Sequence, residues 1–382
     1  MKINLSVNGR FWIFDLARQL QKRGYLNKLI TTYPKFKTRE WDIPKNKVIS
    51  KPYMEIIKRI GYRTSNIYRG TYPFSHKSVA RVAAKYMDEC DIHIGLSAGS
   101  LETIIRAKKL GKIFILERGA THYNDQVRLV QEERNQYGDG NFQPRHHLWQ
   151  RELLEYELAD YISVPSSFAR ESFIKHGFDK ERVLIHSLGV DLKYFKQLPK
   201  KDKTFRLIYA GTGSYRKGFH YLLKAFYELN LPKVELWHIG IVNNDMKPLL
   251  DKYRTDQVKL LGYINRNELY KYYSQGSVFV FPSLEDGFGM VLSEAMACGL
   301  PVIATSNTGA VDLVTQDSQE GFIIPIRNVD ALKEKITYLY NNQEECLNMG
   351  RKAKNRVENS CSWDDYGDKY EANLEKIYNR HF

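Results

Sequence analysis

The sequence has 382 residues, of which 43% are apolar and 27% charged. That is enough for two ordinary cores and, at roughly 100–200 residues per domain, about two domains. No apolar run approaches the roughly 18 residues that span a bilayer, the opening MKINLSVNGRFW lacks the apolar stretch of a secretory signal, and four scattered cysteines, Cys90, Cys298, Cys346 and Cys361, form neither a disulfide framework nor a zinc pattern. These features lead us to expect a reducing, cytoplasmic setting, with peripheral attachment to the inner face of the cytoplasmic membrane. The net charge of +14 is uneven: residues 1–100 hold 19 Lys/Arg against 7 Asp/Glu, whereas residues 201–382 hold 23 against 23. A basic first quarter fits an anionic partner, whether a membrane leaflet, a nucleic acid or a phosphorylated acceptor, or else plain solvated lysine.

Along the chain, short β-rich apolar runs predict strands at 3–7, 26–31, 92–96, 113–117, 162–164 and 183–186. A second set follows at 206–209, 235–239, 259–261, 278–282, 302–305 and 321–325. Amphipathic segments lie between them. Ile13, Leu16, Ala17 and Leu20, at i, i+3, i+4 and i+7, form one apolar helix face. Strand alternating with helix predicts parallel sheets covered on both faces, hence an α/β fold of two doubly wound, Rossmann-like domains with six strands each. The polar, basic stretch 193–204, containing Pro199, is the expected boundary, which gives domains at 1–195 and 205–362. Tyr366, Tyr370, Leu374 and Tyr378 at helical spacing predict a closing helix over 363–382. Ligands of such sheets bind beyond the carboxyl ends of the strands, so the site is expected in the cleft between the domains.

Residues 278–305, VFVFPSLEDGFGMVLSEAMACGLPVIAT, carry the most information. A buried strand ends at Pro282. A loop with Glu285, Asp286, Gly287, Phe288 and Gly289 follows, then a helix over roughly 290–298 closed by Gly299. Backbone N–H groups at a helix N-terminus bind phosphate. Carboxylates on either side of that turn, Asp286 and Glu294, would repel phosphate but suit the hydroxyls of a sugar or ribose. Upstream, a strand at 206–209 leads into a loop with Gly211, Gly213 and Gly218 that bears Arg216 and Lys217. Two cations there would neutralise a leaving diphosphate.

These segments resemble glycosyltransferase family 4, the retaining GT-B glycosyltransferases of group 1. The family pattern is a carboxylate, Gly-Phe-Gly, a second carboxylate eight positions after the first, then Ala-Met-Ala, Gly and Pro-Val. By this resemblance, Glu294 holds the ribose hydroxyls and the first carboxylate contacts the donor sugar. The usual Glu is Asp286 here, one methylene shorter, with Glu285 directly before it as a substitute. The backbone of Phe288, Gly289 and Met290 would face the sugar and diphosphate. Lys217 matches the family's diphosphate-gripping lysine. The usual arginine position is Thr212, and Arg216 is the compensating cation. Gly240, and Tyr263 with Ile264 after Gly262, resemble loops lining the nucleotide pocket. In the first domain, Asn8-Gly9-Arg10 stands where the family has a Gly-Gly pair; Gly9 would line the donor site and Arg10 would contact phosphate. In Glu117-Arg118-Gly119-Ala120-Thr121-His122, His122 matches a histidine near the donor sugar and Arg118 is a second contact.

The resemblance implies an acceptor-side domain at 1–195, a donor-side domain at 205–362, and a helix at 363–382 returning to the first domain. It implies retention of configuration, no metal and no other cofactor, and a UDP-sugar or GDP-sugar donor. With the basic face, it points to a saccharide or lipid-linked saccharide acceptor at an anionic membrane surface, as in bacterial surface polysaccharide or lipopolysaccharide assembly. Alternatives are a GT-B enzyme with a soluble acceptor, a nucleotide-sugar epimerase and, remotely, a nucleic-acid-binding protein, for which no recognised module is present. A nicotinamide oxidoreductase would need a Gly-x-Gly-x-x-Gly after the first strand, which is absent.

Overall fold

The computed structural model describes the chain except residues 54, 57–64, 139–145 and 315–318. Over 65–73 and 146–148 it describes the helical backbone alone. Two parallel sheets organise the molecule. The first contains β1 (Ile3–Val7), β2 (Leu26–Thr31), β3 (Val48–Ser50), β4 (Ile92–Leu96), β5 (Ile113–Glu117), β6 (Tyr161–Val164) and β7 (Val183–Ile185), in the order β3-β2-β1-β4-β5-β6-β7. The second contains β8 (Phe205–Ala210), β9 (Val234–Ile239), β10 (Val258–Leu260), β11 (Val278–Phe281), β12 (Val302–Thr305) and β13 (Gly321–Ile324), in the order β10-β9-β8-β11-β12-β13. Central β1 and β8 are buried at every residue, as strands covered by helices on both faces must be.

Among the described residues the first sheet has seven strands where six are predicted. The additional strand, β3, is an edge of three residues paired with β2. It lies between Lys47 and Lys51 and contains no apolar run long enough to announce it.

In each sheet the chain first winds outward from the central strand and then returns to its other side. The switch points therefore lie between β1 and β4 and between β8 and β11. Splayed loops at the carboxyl ends of such a pair leave a crevice. In the second sheet those loops are 211–218 and 282–289, the two glycine-bearing segments singled out above.

The chain passes between the sheets through 186–204 and returns in the helix Trp363–His381. Ser362 and Asp365 form a reciprocal capping box that starts this helix. Its apolar face, Trp363, Tyr366, Tyr370, Leu374 and Ile377, is buried; each such side chain contributes on the order of 2 kcal/mol. The helix packs on the helix Ile13–Lys22 of the first domain. Lys22 meets Asp364 at 2.9 Å, and Arg23 meets Glu371 at 3.1 Å and also pairs with Asp368. A single apolar cluster runs from the first sheet through Leu188, Val190, Phe195 and Trp363 into the second. Among the described residues, no helix is long and apolar enough to cross a membrane.

Candidate active site

The floor of the second-domain crevice is made by backbone. Gly211 and Gly240 have φ of +142° and +139°, and a side chain on Gly240 would meet the Gly211 carbonyl oxygen at 2.2 Å. The Gly240 N–H donates to the Gly262 carbonyl at 2.8 Å. Gly218, at φ +64°, begins the helix Phe219–Leu229 and lies so close to Pro282 that a Cβ would come within 1.8 Å of its carbonyl oxygen. Glycine is thus what brings loop 211–218 against loop 282–289.

This approach assembles four charges. Arg216 Nη1 donates to the Glu285 carboxylate at 2.9 Å and to its carbonyl at 3.0 Å. Lys217 pairs with Asp286. Glu285 is fully buried. Burial alone would raise its carboxyl, but Arg216 and Lys217 hold it down at about 2. Burial and the adjacent Arg216 push the Lys217 ammonium below the ordinary lysine value. Neither carboxylate depends on its cation alone. Glu285 also accepts from the Thr121 N–H at 3.1 Å, the Thr121 hydroxyl at 3.0 Å and Gln126 Nε2 at 2.9 Å. Asp286 Oδ1 accepts from the Phe288 N–H at 3.3 Å and the Gly289 N–H at 3.1 Å. Each carboxylate thus keeps hydrogen-bond donors of its own beside its cation.

Gly289, at φ +78°, precedes the helix Met290–Ala297. The N–H groups of Phe288 and Gly289, expected to face a ligand, both donate to Asp286, whose short side chain reaches them from within the loop. Glu294 is buried on this helix and accepts from Arg266 Nε at 3.1 Å. Burial pushes its carboxyl up to about 7 against the pull of Arg266. Tyr263 is 76% exposed, while Ile264 is half-buried against the core. Gly213 donates to the Ile241 carbonyl at 2.9 Å. A Cβ on Gly287 would meet the Gly119 carbonyl at 2.3 Å, so the first domain closes directly on this loop.

First-domain candidates divide. Gly9, at φ +107°, accepts from the Thr31 hydroxyl at 2.7 Å, and Arg10 is exposed above the Trp41 ring at 5.3 Å. His122, expected near the donor sugar, is buried within its own domain. Its ring stacks on His176 at 4.0 Å, among Tyr156, Phe173 and Phe178 of its own domain. Burial and His176 lower it to about 3, so the imidazole is neutral. It caps the helix Tyr123–Tyr137, and the neighbouring Thr121 reaches Glu285 instead. Arg118, expected as a second contact, is buried and donates to Glu152 at 2.8 Å, the Thr121 carbonyl at 3.1 Å and Gln126 at 3.2 Å. Thr121, Gln126 and Arg266 were missed. Their importance lies in partners distant in sequence, and no local pattern marks them.

Residues 190–356 match the family model described as glycosyl transferases group 1. Over these residues the chain is similar to a group 1 glycosyltransferase domain. The match contains the loop 211–218, the Gly-Phe-Gly loop and the helix bearing Glu294. The capsular polysaccharide biosynthesis glycosyltransferase CapM of Staphylococcus aureus is 30% identical over 234 residues, 56% of this chain and 58% of that protein. The D-inositol 3-phosphate glycosyltransferase of Pseudarthrobacter chlorophenolicus is 29% identical over 232 residues, 55% of each chain. The chain thus spans somewhat over half the length of these relatives. Anabaena HepE, solved in complex with UDP, superposes with a TM-score of 0.70 at 16% identity, covering 98% of this chain and 100% of that one. That likeness is one of fold: the group 1 domain and the preceding sheet together form the two-domain GT-B architecture.

Proposed function

We propose that this protein is a retaining, metal-independent glycosyltransferase that moves a hexose-type sugar from a UDP-sugar or GDP-sugar to a saccharide or lipid-linked saccharide. The setting we infer is bacterial surface polysaccharide or lipopolysaccharide biosynthesis. The observation that carries this reading is the cation pair, Arg216 and Lys217, beside the Gly-Phe-Gly loop in the segment that matches the group 1 family model. The domain's similarity to CapM, a capsular polysaccharide enzyme by name, and the fold shared with the UDP complex of HepE support the setting and the donor class.

In the proposed reaction the donor diphosphate leaves toward Arg216 and Lys217, which stabilise its growing charge as a metal would elsewhere. Glu294 accepts hydrogen bonds from ribose hydroxyls once Arg266 moves aside. Asp286 shapes the sugar pocket and the acceptor hydroxyl attacks from the face the diphosphate vacates, its proton passing to the leaving phosphate. Catalysis is then positioning and electrostatics in a site closed to water. The test is transfer from UDP- and GDP-sugars in EDTA, with the product anomer read by NMR. We expect Lys217→Ala and Glu294→Ala each to lower turnover by at least about tenfold; near-normal rates in both would overturn the site assignment.

For the membrane acceptor, the sequence offers the stretch 51–77, rich in Lys/Arg and Tyr, of which residues 54 and 57–64 lie outside the described residues. The short helix Lys35–Trp41 supports the reading: Phe36 is 68% exposed and lies between Lys35 and Lys37, with Arg39 on the same turn. An aromatic tip among cations suits an anionic leaflet. Sedimentation with phosphatidylglycerol vesicles at low salt tests it, and absence of binding would defeat the membrane claim.

A further inference from the structure

One face of the helix Tyr123–Tyr137, a first-domain element, belongs to the second domain. Gln126, Leu129, Glu133 and Tyr137 recur at i, i+3, i+7 and i+11, which places them on one side. Gln126 Nε2 donates to Glu285 at 2.9 Å. Glu133 is fully buried; its Oε1 accepts from the Tyr221 hydroxyl at 2.6 Å and lies 2.7 Å from His220 Nε2, and its Oε2 accepts from Arg327 Nε at 2.9 Å. Arg134 donates to Asp245 at 2.7 Å. The Tyr137 carbonyl accepts from the Tyr215 hydroxyl at 3.0 Å. Every one of these partners is in the second domain. Tyr215 adjoins Arg216, and His220 and Tyr221 open the helix that follows Lys217 and Gly218. A carboxylate with three donors, all from the other domain, is costly to strand, so the docked arrangement is favoured as a unit.

The same element reaches the charge cluster. Of the four hydrogen-bond donors on the Glu285 carboxylate, three come from Thr121 and Gln126 and one from Arg216. With the first domain docked, Glu285 is held from one side and Arg216 is set from the other.

We propose that Thr121 and Gln126 are positioning residues of the donor site, acting through Glu285 on Arg216, and that Glu133 clamps their helix to the loop 211–218. The first domain thereby orders the diphosphate loop of the second, and closure and donor grip become one event. The proposal rests on the reading of Arg216 as a diphosphate ligand.

The experiment compares full-length wild type, Gln126→Leu, Glu133→Gln and the outward-facing control Asn135→Ala. Hydrogen–deuterium exchange is measured over 211–218 and 284–289, and binding of UDP, GDP and inorganic pyrophosphate is measured by calorimetry. We expect faster exchange in both loops for Gln126→Leu and Glu133→Gln, and about tenfold weaker binding, the scale of one lost hydrogen bond to a charged group. The control should match wild type. Should Glu133→Gln fail to fold, Gln126→Leu, at a half-buried position, carries the comparison alone. Unchanged exchange in both loops overturns the proposal. Wild type that binds none of the three probes would sink the donor-site reading instead, and the exchange comparison would still decide whether the helix orders the loops.

Discussion

Glu294 shows how one buried carboxylate ties stability to pH. Its carboxyl is pushed up from 4.5 to about 7 by burial, so the folded protein holds a proton that the unfolded chain releases. The stability it contributes is present in full below the unfolded value and is lost as pH rises through about 7. We expect Glu294→Gln, which stays neutral, to flatten the decline of the melting temperature between about pH 5 and pH 8. Parallel slopes for wild type and variant across that window would refute the assignment. Asp286, eight residues away in the same segment, has other surroundings: two backbone N–H groups and Lys217. Both carboxylates are legible in the sequence; that Asp286 gathers two backbone N–H groups beside Lys217, while Glu294 is buried with Arg266 as its partner, is not.

The loops and helices of the second domain act as a set because glycine lets them touch. Gly218 is the sharpest case. Its left-handed φ of +64° already costs a side chain roughly 1–2 kcal/mol. The Pro282 carbonyl oxygen, 1.8 Å from where a Cβ would stand, is backbone and cannot step aside. Gly218→Ala should therefore lower the melting temperature by several degrees and abolish nucleotide binding, since loop 211–218 must leave loop 282–289. A variant with wild-type melting and binding would show that the contact is dispensable. The strand–helix alternation that positions these loops is read easily from the sequence, because buried parallel strands are continuous apolar runs. The three-residue β3 is not, because an edge strand with basic flanks has no such run.

At the scale of the molecule, the second chain crossing ties the closing helix to the cleft. The Tyr370 hydroxyl and Trp12 Nε1 each donate to buried Glu117 at 2.7 Å, and Glu117 immediately precedes the loop that docks on Glu285. Loss of one donor to a buried carboxylate costs about 1–3 kcal/mol. Tyr370→Phe should lower stability in chemical denaturation by that amount while leaving the helix in place through its apolar face. No change in the denaturation midpoint would mean that Glu117 finds another donor.

What the sequence determined by itself was local: the alternation of strands and helices, the glycine loops at strand ends, Lys217 beside Arg216, and the carboxylates flanking Gly-Phe-Gly. Each depends on residues within about two turns or one strand of each other, and spacing alone carries that information. The tertiary structure decided the rest. Thr121 meets Glu285 across 164 residues of chain, and Glu133 meets Arg327 across 194. His122 turned into an aromatic cluster that forms only when two separate helices pack against its loop. Such pairings follow from how two domains close on each other and from the cost of stranding a buried charge, and no window of sequence contains both partners.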